Sequence, residues 1–93
     1  MIIAEIQVAP SPAGTADDPH AFVEAAIAVI TASGLRSEVG ALGTTLEGEA
    51  DAVWATLRAA HEAMIAAGAT SGISHVKIAS VDRTMDSLTA KFR

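Results

Sequence analysis

The segment IIAEIQV, residues 2–8, decides the fold of this chain. Its even-numbered residues are all apolar, whereas Glu5 and Gln7 make the odd-numbered side polar. Successive side chains of a β-strand point to opposite faces of a sheet, so this alternation predicts a strand with one buried and one hydrated face. Pro10, Pro12 and Gly14 are expected to end the strand in a loop. One-sided strands are typical of antiparallel sheets that are covered on a single face.

Hydrophobic periodicity predicts five further elements after this strand. We expect a helix capped by Asp17 or Asp18 and ending at Gly34, strands over residues 35–41 and 44–47, a helix from Asp51 to Gly68, and a strand over residues 73–81. In the order β-α-β-β-α-β, right-handed crossovers place both helices on one face of a four-stranded antiparallel sheet. The sequence therefore predicts an α+β protein with the ferredoxin-like plait. We expect one domain, 1–93, with the core plait over 1–82 and a short, weakly helical C-terminal segment over 83–93.

The two faces of the predicted sheet differ in chemistry. The face toward the helices takes Ile2, Ala4, Ile6, Val8, Val39, Leu46, Val76 and Ile78. The opposite face, called the outer face below, takes Glu5, Gln7, Arg36, Glu38, Thr45, Glu47, His75 and Lys77. Two interpretations of the outer face stay open: a hydrated surface, or contact with the sheet of a second subunit. On the second helix, Trp54 is expected in the apolar stripe that enters the core.

Composition excludes several classes of function. Six Lys and Arg against eleven Asp and Glu give a net charge of −5, which argues against binding nucleic acid or an anionic membrane surface. The absence of cysteine removes thiolate nucleophiles, zinc–thiolate sites and copper-binding Cys-x-x-Cys pairs. It also fits a cytoplasmic location. Because 21 of the 93 residues are alanine, which adds little buried area, a partner subunit would help burial.

The side chains that would support catalysis or metal binding are missing or scattered. The predicted sheet has no aromatic residues on which to stack RNA bases, and residues 9–18 contain no Arg that would suit an acylphosphatase-like anion site. His20, His61 and His75 fall on different elements without a recognised ligand spacing. No G-x-S-x-G nucleophile motif is present. We therefore expect a protein without metal or cofactor that is not an enzyme.

Several segments form one further pattern. They are MIIAEIQVAP at residues 1–10, Gly14-Thr15, GTTLEG at residues 43–48, residues 51–63 with His61-Glu62-Ala63, and Lys77-Ile78. From Met1 to about Asp82 the chain resembles the small thiamine-binding proteins of the YkoF-like family, most specifically in Gly-Thr-Thr-x-Glu-Gly. The resemblance implies a ferredoxin-like domain that dimerises or tetramerises through its sheets. It further implies binding of thiamine, or of its hydroxymethylpyrimidine half, without a reaction.

The polar residues of the outer face and nearby loops agree with that ligand. The candidate ligand-binding residues are Glu5, Gln7, Ser11, Thr15, Thr44, Thr45 and Glu47. Carboxylates would pair with the pyrimidine amino group or a protonated ring nitrogen, and the neutral side chains would donate and accept hydrogen bonds. An acidic protein also attracts the thiazolium cation. Alternatively, Glu5 and Glu47 pair only with Lys77 or Arg36 across the face.

Two other functions remain open at this point. One is a cofactor-free dimeric α/β-barrel enzyme that uses His75 as its base. The other is a regulatory module, similar to amino-acid-sensing plait domains, whose ligand lies at a dimer edge.

Overall fold

All 93 residues, Met1–Arg93, are described by the computed structural model, and it confirms the predicted order of elements. The elements are β1 Ile2–Ser11, α1 Ala21–Ala32, β2 Arg36–Val39, β3 Thr44–Gly48, α2 Ala50–Ala67, β4 Ser71–Ser80 and α3 Met85–Thr89, followed by a 3₁₀ turn at Ala90–Phe92. The antiparallel sheet has the order β2-β3-β1-β4, as the plait requires. None of the helices combines the length and apolar character that crossing a bilayer demands.

The strand register confirms the two predicted sheet faces. Ala4 of β1 lies opposite Leu46 of β3 and Ile78 of β4, whereas Glu5 lies opposite Thr45 and Lys77. The larger buried core joins the helix-facing strand residues to the inner sides of both helices: Ile2, Ala4, Ile6, Ala26, Ile30, Leu46, Val53, Leu57 and Ala60. A smaller cluster of Phe22, Met64 and Ala69 closes one end. This core fixes which residues of β1 are left for the outer face.

The first strand is longer than predicted, because it does not end at Pro10. That residue pairs with Gly72 of β4, and Ser11 pairs with Ser71. Pairing of β1 with β3 ends at Ile6, so the later part of β1 has a free edge. Proline is tolerated where a strand's amide side faces no partner.

The predicted cap of the first helix by Asp17 or Asp18 is wrong. The N-cap residue is His20, and no side chain caps the helix. The backbone carbonyl of Asp18 instead accepts hydrogen bonds from the amides of Thr15 and Ala21. Gly14 permits this tight loop, because a Cβ atom there would lie 2.2 Å from the same carbonyl oxygen.

The expectation that Trp54 enters the core is also wrong, since it is 57% exposed. The buried positions of α2 include Val53 and Leu57. Trp54 lies one position from Val53, about 100° around the helix, and therefore points away from the core. It lies beside Val76 and Ile78 of β4, which face the helices as predicted but remain partly exposed.

Alanine at the helix–helix contact explains why Val76 and Ile78 of β4 stay partly exposed. The groove between the helices is lined by Val29, Ala32, Ser33, Ala55, Thr56 and Ala59. Because the distance between packed helices depends on the side chains at their contact, small residues let α1 and α2 approach closely. A close pair covers less of the sheet's width. The helix-facing sides of the two edge strands are consequently left partly open at Val39 and Val76.

Replacing Leu46 by Ala is expected to destabilise the fold by about 2–5 kcal/mol, because this fully buried leucine would leave a cavity between β3 and the helices. The matched control is Leu42→Ala in the β2–β3 loop, where the leucine is 80% exposed. That change should alter the free energy of unfolding by less than about 0.5 kcal/mol. Urea denaturation followed by circular dichroism compares the two. Equal losses would show that the core is not centred on Leu46.

Candidate functional site

The C-terminal segment lies on the outer face of its own sheet. Its helix α3 begins with a capping box, in which the Thr84 hydroxyl accepts from the Ser87 amide while the Ser87 hydroxyl accepts from the Thr84 amide. Met85 follows and is buried, and its amide donates a 2.8 Å hydrogen bond to Oε2 of Glu47. Glu47 is itself buried, so its carboxylate anchors α3 to β3.

Two ion pairs fasten the same segment to β2. Arg36 Nη2 lies 2.8 Å from Asp86 Oδ1, and this hydrogen bond raises the pKa of Arg36. Further along, the guanidinium of Arg93 pairs with the carboxylate of Glu38. Both pairs are partly exposed, and water screens the attraction between their charges, so they add little to the stability of the fold. Their effect is to set the position of the segment above the sheet.

These contacts show which ion pairs Glu5 and Arg36 form, and they leave a ligand role for Glu5 untested. Lys77 Nζ lies 3.8 Å from Oε1 of Glu5, as the surface-pair alternative predicted. Arg36 forms its ion pairs with Asp86 and Glu38 rather than with Glu47. Glu47 is used by the backbone of α3, a role that the sequence did not indicate.

The segment and the β2–β3 loop enclose a cleft of about 400 Å³ over the centre of the outer face. We call it the outer-face cleft; it is lined by Ile3, Glu5, Glu38, Gly40, Ala41, Leu42, Gly43, Thr45, Met85, Leu88, Thr89 and Arg93. The lining combines the apolar side chains of Ile3, Leu42 and Leu88 with the carboxylates of Glu5 and Glu38. An apolar surface with a few polar groups is the usual composition of a small-molecule site.

A second cleft of about 600 Å³ adjoins it on the same face. Glu5 and Leu42 line both clefts, and the second adds Gln7, His75 and Lys77. Gly43 keeps the loop close to the strand, because a Cβ there would lie 3.1 Å from the Ile6 carbonyl oxygen. Glu5 is thus central to the whole outer face, with its carboxylate half-exposed and only the exposed Lys77 near it.

The structure brings three of the seven candidate ligand residues together. Glu5 and Thr45 line the outer-face cleft, and Gln7 lines the adjoining one. Glu47 is on the same face but covered by α3. Thr44 is buried on the opposite, helix-facing side, where it lines a cavity of about 180 Å³ beside α1.

The other two candidates lie far from this group. Ser11 is six residues beyond Glu5 along β1, roughly 20 Å at the usual rise per residue. Thr15 uses its hydroxyl inside its own loop, where Oγ1 accepts from the Asp18 amide at 3.1 Å. A ligand role for any of the seven residues stays a prediction.

Sequence reasoning missed two charged residues of the cleft as candidates. Glu38 could have been found, because it lies opposite Thr45 and therefore on the same face. Arg93 could not, since no periodicity in the sequence shows where the C-terminal segment packs. No group of three His, Cys, Asp or Glu side chains is arranged to hold a metal ion.

Comparisons with known proteins relate the chain to one family. The model of a family described as thiamine-binding protein matches residues 4–93. Among solved structures, a domain of unknown function from Bacillus cereus is 35% identical, with a TM-score of 0.88 over 99% of this chain and 89% of the other. A hypothetical protein from Methanocaldococcus jannaschii is 26% identical, with a TM-score of 0.76 over 97% of this chain and 90% of the other.

A more distant structure shares the fold. This Thermotoga maritima protein, whose description proposes a role in thiamine biosynthesis or salvage, is 23% identical, with a TM-score of 0.83 over 99% of this chain and 98% of the other. None of the curated proteins is significantly similar to the chain.

Changing Glu47 to Ala is expected to release the C-terminal segment from the sheet. The substitution removes the acceptor of the buried Met85 amide, and an unsatisfied buried donor costs about 1–3 kcal/mol. Hydrogen exchange should show faster exchange at Met85 and through α3. The control is Glu49→Ala, which removes an exposed carboxylate two residues away. Unchanged protection in the Glu47 variant would mean that the ion pairs alone hold the segment.

Proposed function

Because this chain belongs to the thiamine-binding protein family, we propose that it binds thiamine or its hydroxymethylpyrimidine half and does not transform it. It would serve as a carrier or sensor and would work as a homo-oligomer. The observation that carries the proposal is the half-exposed carboxylate of Glu5 in the outer-face cleft, which Thr45 and the apolar residues Ile3, Leu42 and Leu88 also line. The family match indicates the class of ligand, and the cleft offers side chains that could form hydrogen bonds and apolar contacts with it.

The cleft offers a partner for each part of such a ligand. An aminopyrimidine both donates and accepts hydrogen bonds, so Glu5 can accept from its amino group while the Thr45 hydroxyl serves either role. Ile3 and Leu42 offer apolar contact to the ring. Thiamine differs from the free pyrimidine by its thiazolium cation. Glu38, the second carboxylate of the cleft, is suited to that charge.

The barrel-enzyme alternative would require His75 to act as a general base. His75 is exposed on the outer face and lies opposite Gln7 in the strand pair. A general base is normally oriented by a neighbouring group. Neither an ion pair nor a side-chain hydrogen bond to a carboxylate holds its ring, so the barrel-enzyme alternative gains no support here.

Exposed apolar side chains support association through the outer face. Leu42 and Leu88 are exposed at the outer-face cleft, and Phe92 of the C-terminal segment is exposed as well. A cluster of such residues is typical of a protein interface. A second subunit would also exclude water from both clefts, which strengthens hydrogen bonds to a bound ligand. Such an assembly fits a homodimer or homotetramer formed through the sheets.

Thiamine is expected to raise the melting temperature. At a hundredfold excess over Kd the stabilisation is about 2.7 kcal/mol, which for a domain of this size corresponds to roughly 10 °C or more. Differential scanning fluorimetry with thiamine and with hydroxymethylpyrimidine measures both shifts. If neither ligand moves the melting temperature at millimolar concentration, the proposed ligand class is wrong.

Glu5→Gln is expected to lower the affinity for thiamine and for hydroxymethylpyrimidine about tenfold or more. The change keeps the shape of the side chain but replaces a charged acceptor, whose hydrogen bond contributes about 1.5–3 kcal/mol, by a neutral amide. Isothermal titration calorimetry gives the two affinities. Glu24→Gln is the control, since it removes the same charge from an exposed position on α1. Equal effects in the two variants would indicate only a general electrostatic attraction.

Arg93→Ala is expected to strengthen thiamine binding about two- to fivefold and to leave hydroxymethylpyrimidine unaffected. Arg93 forms an ion pair with Glu38, the carboxylate suited to the thiazolium, and so competes with the ligand for it. An exposed pair of this kind contributes up to about 1 kcal/mol. Lys91→Ala is the control, because it removes a neighbouring positive charge that forms no ion pair. An equal gain in affinity for the uncharged hydroxymethylpyrimidine would show that Arg93 does not act by competing with the thiazolium for Glu38.

A further inference from the structure

A cavity of about 180 Å³ lies between α1 and the helix-facing side of the sheet, and we call it the α1 cavity. Three elements contribute its buried lining: Ile6 of β1, Ala26 and Ile30 of α1, and Thr44 of β3. Residues 40–42 of the β2–β3 loop also line it, and they are exposed. The α1 cavity therefore reaches from the core to an exposed loop, where a small molecule can enter.

This space is present because β1 continues beyond the end of its pairing with β3. That pairing ends at Ile6 and Thr44, and the residues before Thr44 form the β2–β3 loop. β1 runs on to Ser11 without β3 beside it. The helix contributes Ala26 to the lining, and an alanine side chain is a single methyl group. A larger side chain at this position would occupy part of the cavity.

The lining of the α1 cavity is apolar and uncharged. Eight of its twelve residues are hydrophobic, and none carries a charge. An apolar cavity of about 150 Å³ stays dry and binds benzene. The α1 cavity is therefore large enough for one aromatic ring. A charged ligand is disfavoured, because it would lose its hydration without gaining a charged partner.

A buried hydroxyl without a partner points to a ligand with a polar group. Thr44 and Thr45 are the two threonines whose hydroxyls form no hydrogen bond within the chain, whereas the other six do. Thr45 lines the outer-face cleft, but Thr44 is only 3% exposed and lines the α1 cavity. Side-chain polar atoms that are fully enclosed by protein all have a partner. The Thr44 hydroxyl therefore borders the open space of the cavity, where it can donate or accept a hydrogen bond.

Water alone is a poor occupant of this cavity. A buried water needs about two to four polar partners. The Thr44 hydroxyl is one, but the amide of Gly40 already donates to the Gly43 carbonyl at 2.8 Å. Gln7, the other residue of the lining with a polar side chain, is exposed. A ring that carries one hydroxyl group needs a single polar partner and fills the apolar space as well.

We propose that the α1 cavity binds a neutral molecule with one aromatic ring and one hydroxyl group, such as a phenol. The ring packs beside Ala26 and Ile30, and its hydroxyl forms a hydrogen bond with that of Thr44. Hydroxymethylpyrimidine is poorly suited to this space, because its amino group and ring nitrogens would be buried without partners. The site is thus distinct from the outer-face cleft in both position and ligand chemistry.

Phenol and toluene are suitable probes, because they differ only in a hydroxyl group against a methyl group. A ligand with a single ring can reach a Kd of about 1 mM, so each probe should be titrated to about 10 mM. Methyl NMR spectra of the labelled protein should show saturable shifts at Ile27 and Ile30, which line the cavity, but not at Ile78 of β4. The absence of saturable shifts, or shifts at Ile78 alone, would overturn the proposal.

Ala26→Leu fills part of the cavity and should abolish saturable binding of both probes. The control is Ala28→Leu, which adds the same side chain at an exposed position of the same helix and should leave both affinities unchanged. Circular dichroism verifies the fold of each variant. Wild-type affinity for phenol in a folded Ala26 variant would show that the probe binds elsewhere.

Thr44→Val keeps the shape of the side chain and removes the hydroxyl, so it tests the hydrogen bond alone. We expect the affinity for phenol to fall about two- to tenfold, the range of one neutral hydrogen bond, while that for toluene is maintained. The control is Thr31→Val at an exposed position of α1. An equal loss for both probes, or no loss for phenol, would contradict the role of Thr44.

Measurements with hydroxymethylpyrimidine separate this proposal from the proposed function. Ala26 lies on the helix-facing side of the sheet and Glu5 on the other, so Ala26→Leu should leave the affinity for hydroxymethylpyrimidine unchanged. Hydroxymethylpyrimidine should also fail to displace phenol from the wild-type protein. Displacement would show that the two molecules share one site and would overturn the separate assignment of the α1 cavity. If thiamine and hydroxymethylpyrimidine do not bind at all, only the proposed function fails, because phenol binding does not depend on it.

Discussion

The register of β1 between its two neighbours determines both the core and the cleft. Because Ala4 and Ile6 are held against the helices, Glu5 must face outward, where the pairing places Thr45 on one side and Lys77 on the other. A slip of one residue would send Glu5 into the core and expose the isoleucines. The burial that stabilises this small protein therefore also positions the carboxylate of its candidate site. A binding site defined by such a central strand is more rigid than one assembled from loops alone.

Glu47 connects that sheet to the C-terminal segment. It lies on the outer face in the same register, yet it is buried because Met85 covers it and donates its amide. A buried carboxylate without a partner would be costly, so the segment and the side chain stabilise each other. Since Leu88 and Arg93 of the segment form part of the cleft wall, this one hydrogen bond also shapes the candidate site. The acidic outer face thus divides into one carboxylate that supports structure and others that stay accessible.

The sequence was sufficient for what depends on local pattern. Alternation in residues 2–8 predicted the strand and its faces, and the order of elements predicted the sheet topology. It failed where the outcome depends on distant packing: Trp54 has helical spacing typical of core, but its angular position meets only the open edge of β4. The place of α3 was equally hidden, because a buried Glu47 and a solvated one look the same in sequence. The alternation of side chains along the strands predicted that Glu5, Gln7 and Thr45 share the outer face. It did not predict that Leu88 and Arg93 of the C-terminal segment line the cleft beside them.

Alanine links the remaining features. Small side chains bring α1 and α2 close together, and the narrow helix layer leaves apolar surface at the β4 edge while only 16 of 93 residues are buried. A domain of this size buries a limited share of its surface, and association is the general way to bury more. On the outer face the same reasoning applies to ligand as well as to subunit, because a molecule held between two sheets stabilises the assembly that encloses it. If the chain binds its ligand and associates through that face as proposed, binding and assembly would be thermodynamically linked, and each would strengthen the other by the same factor.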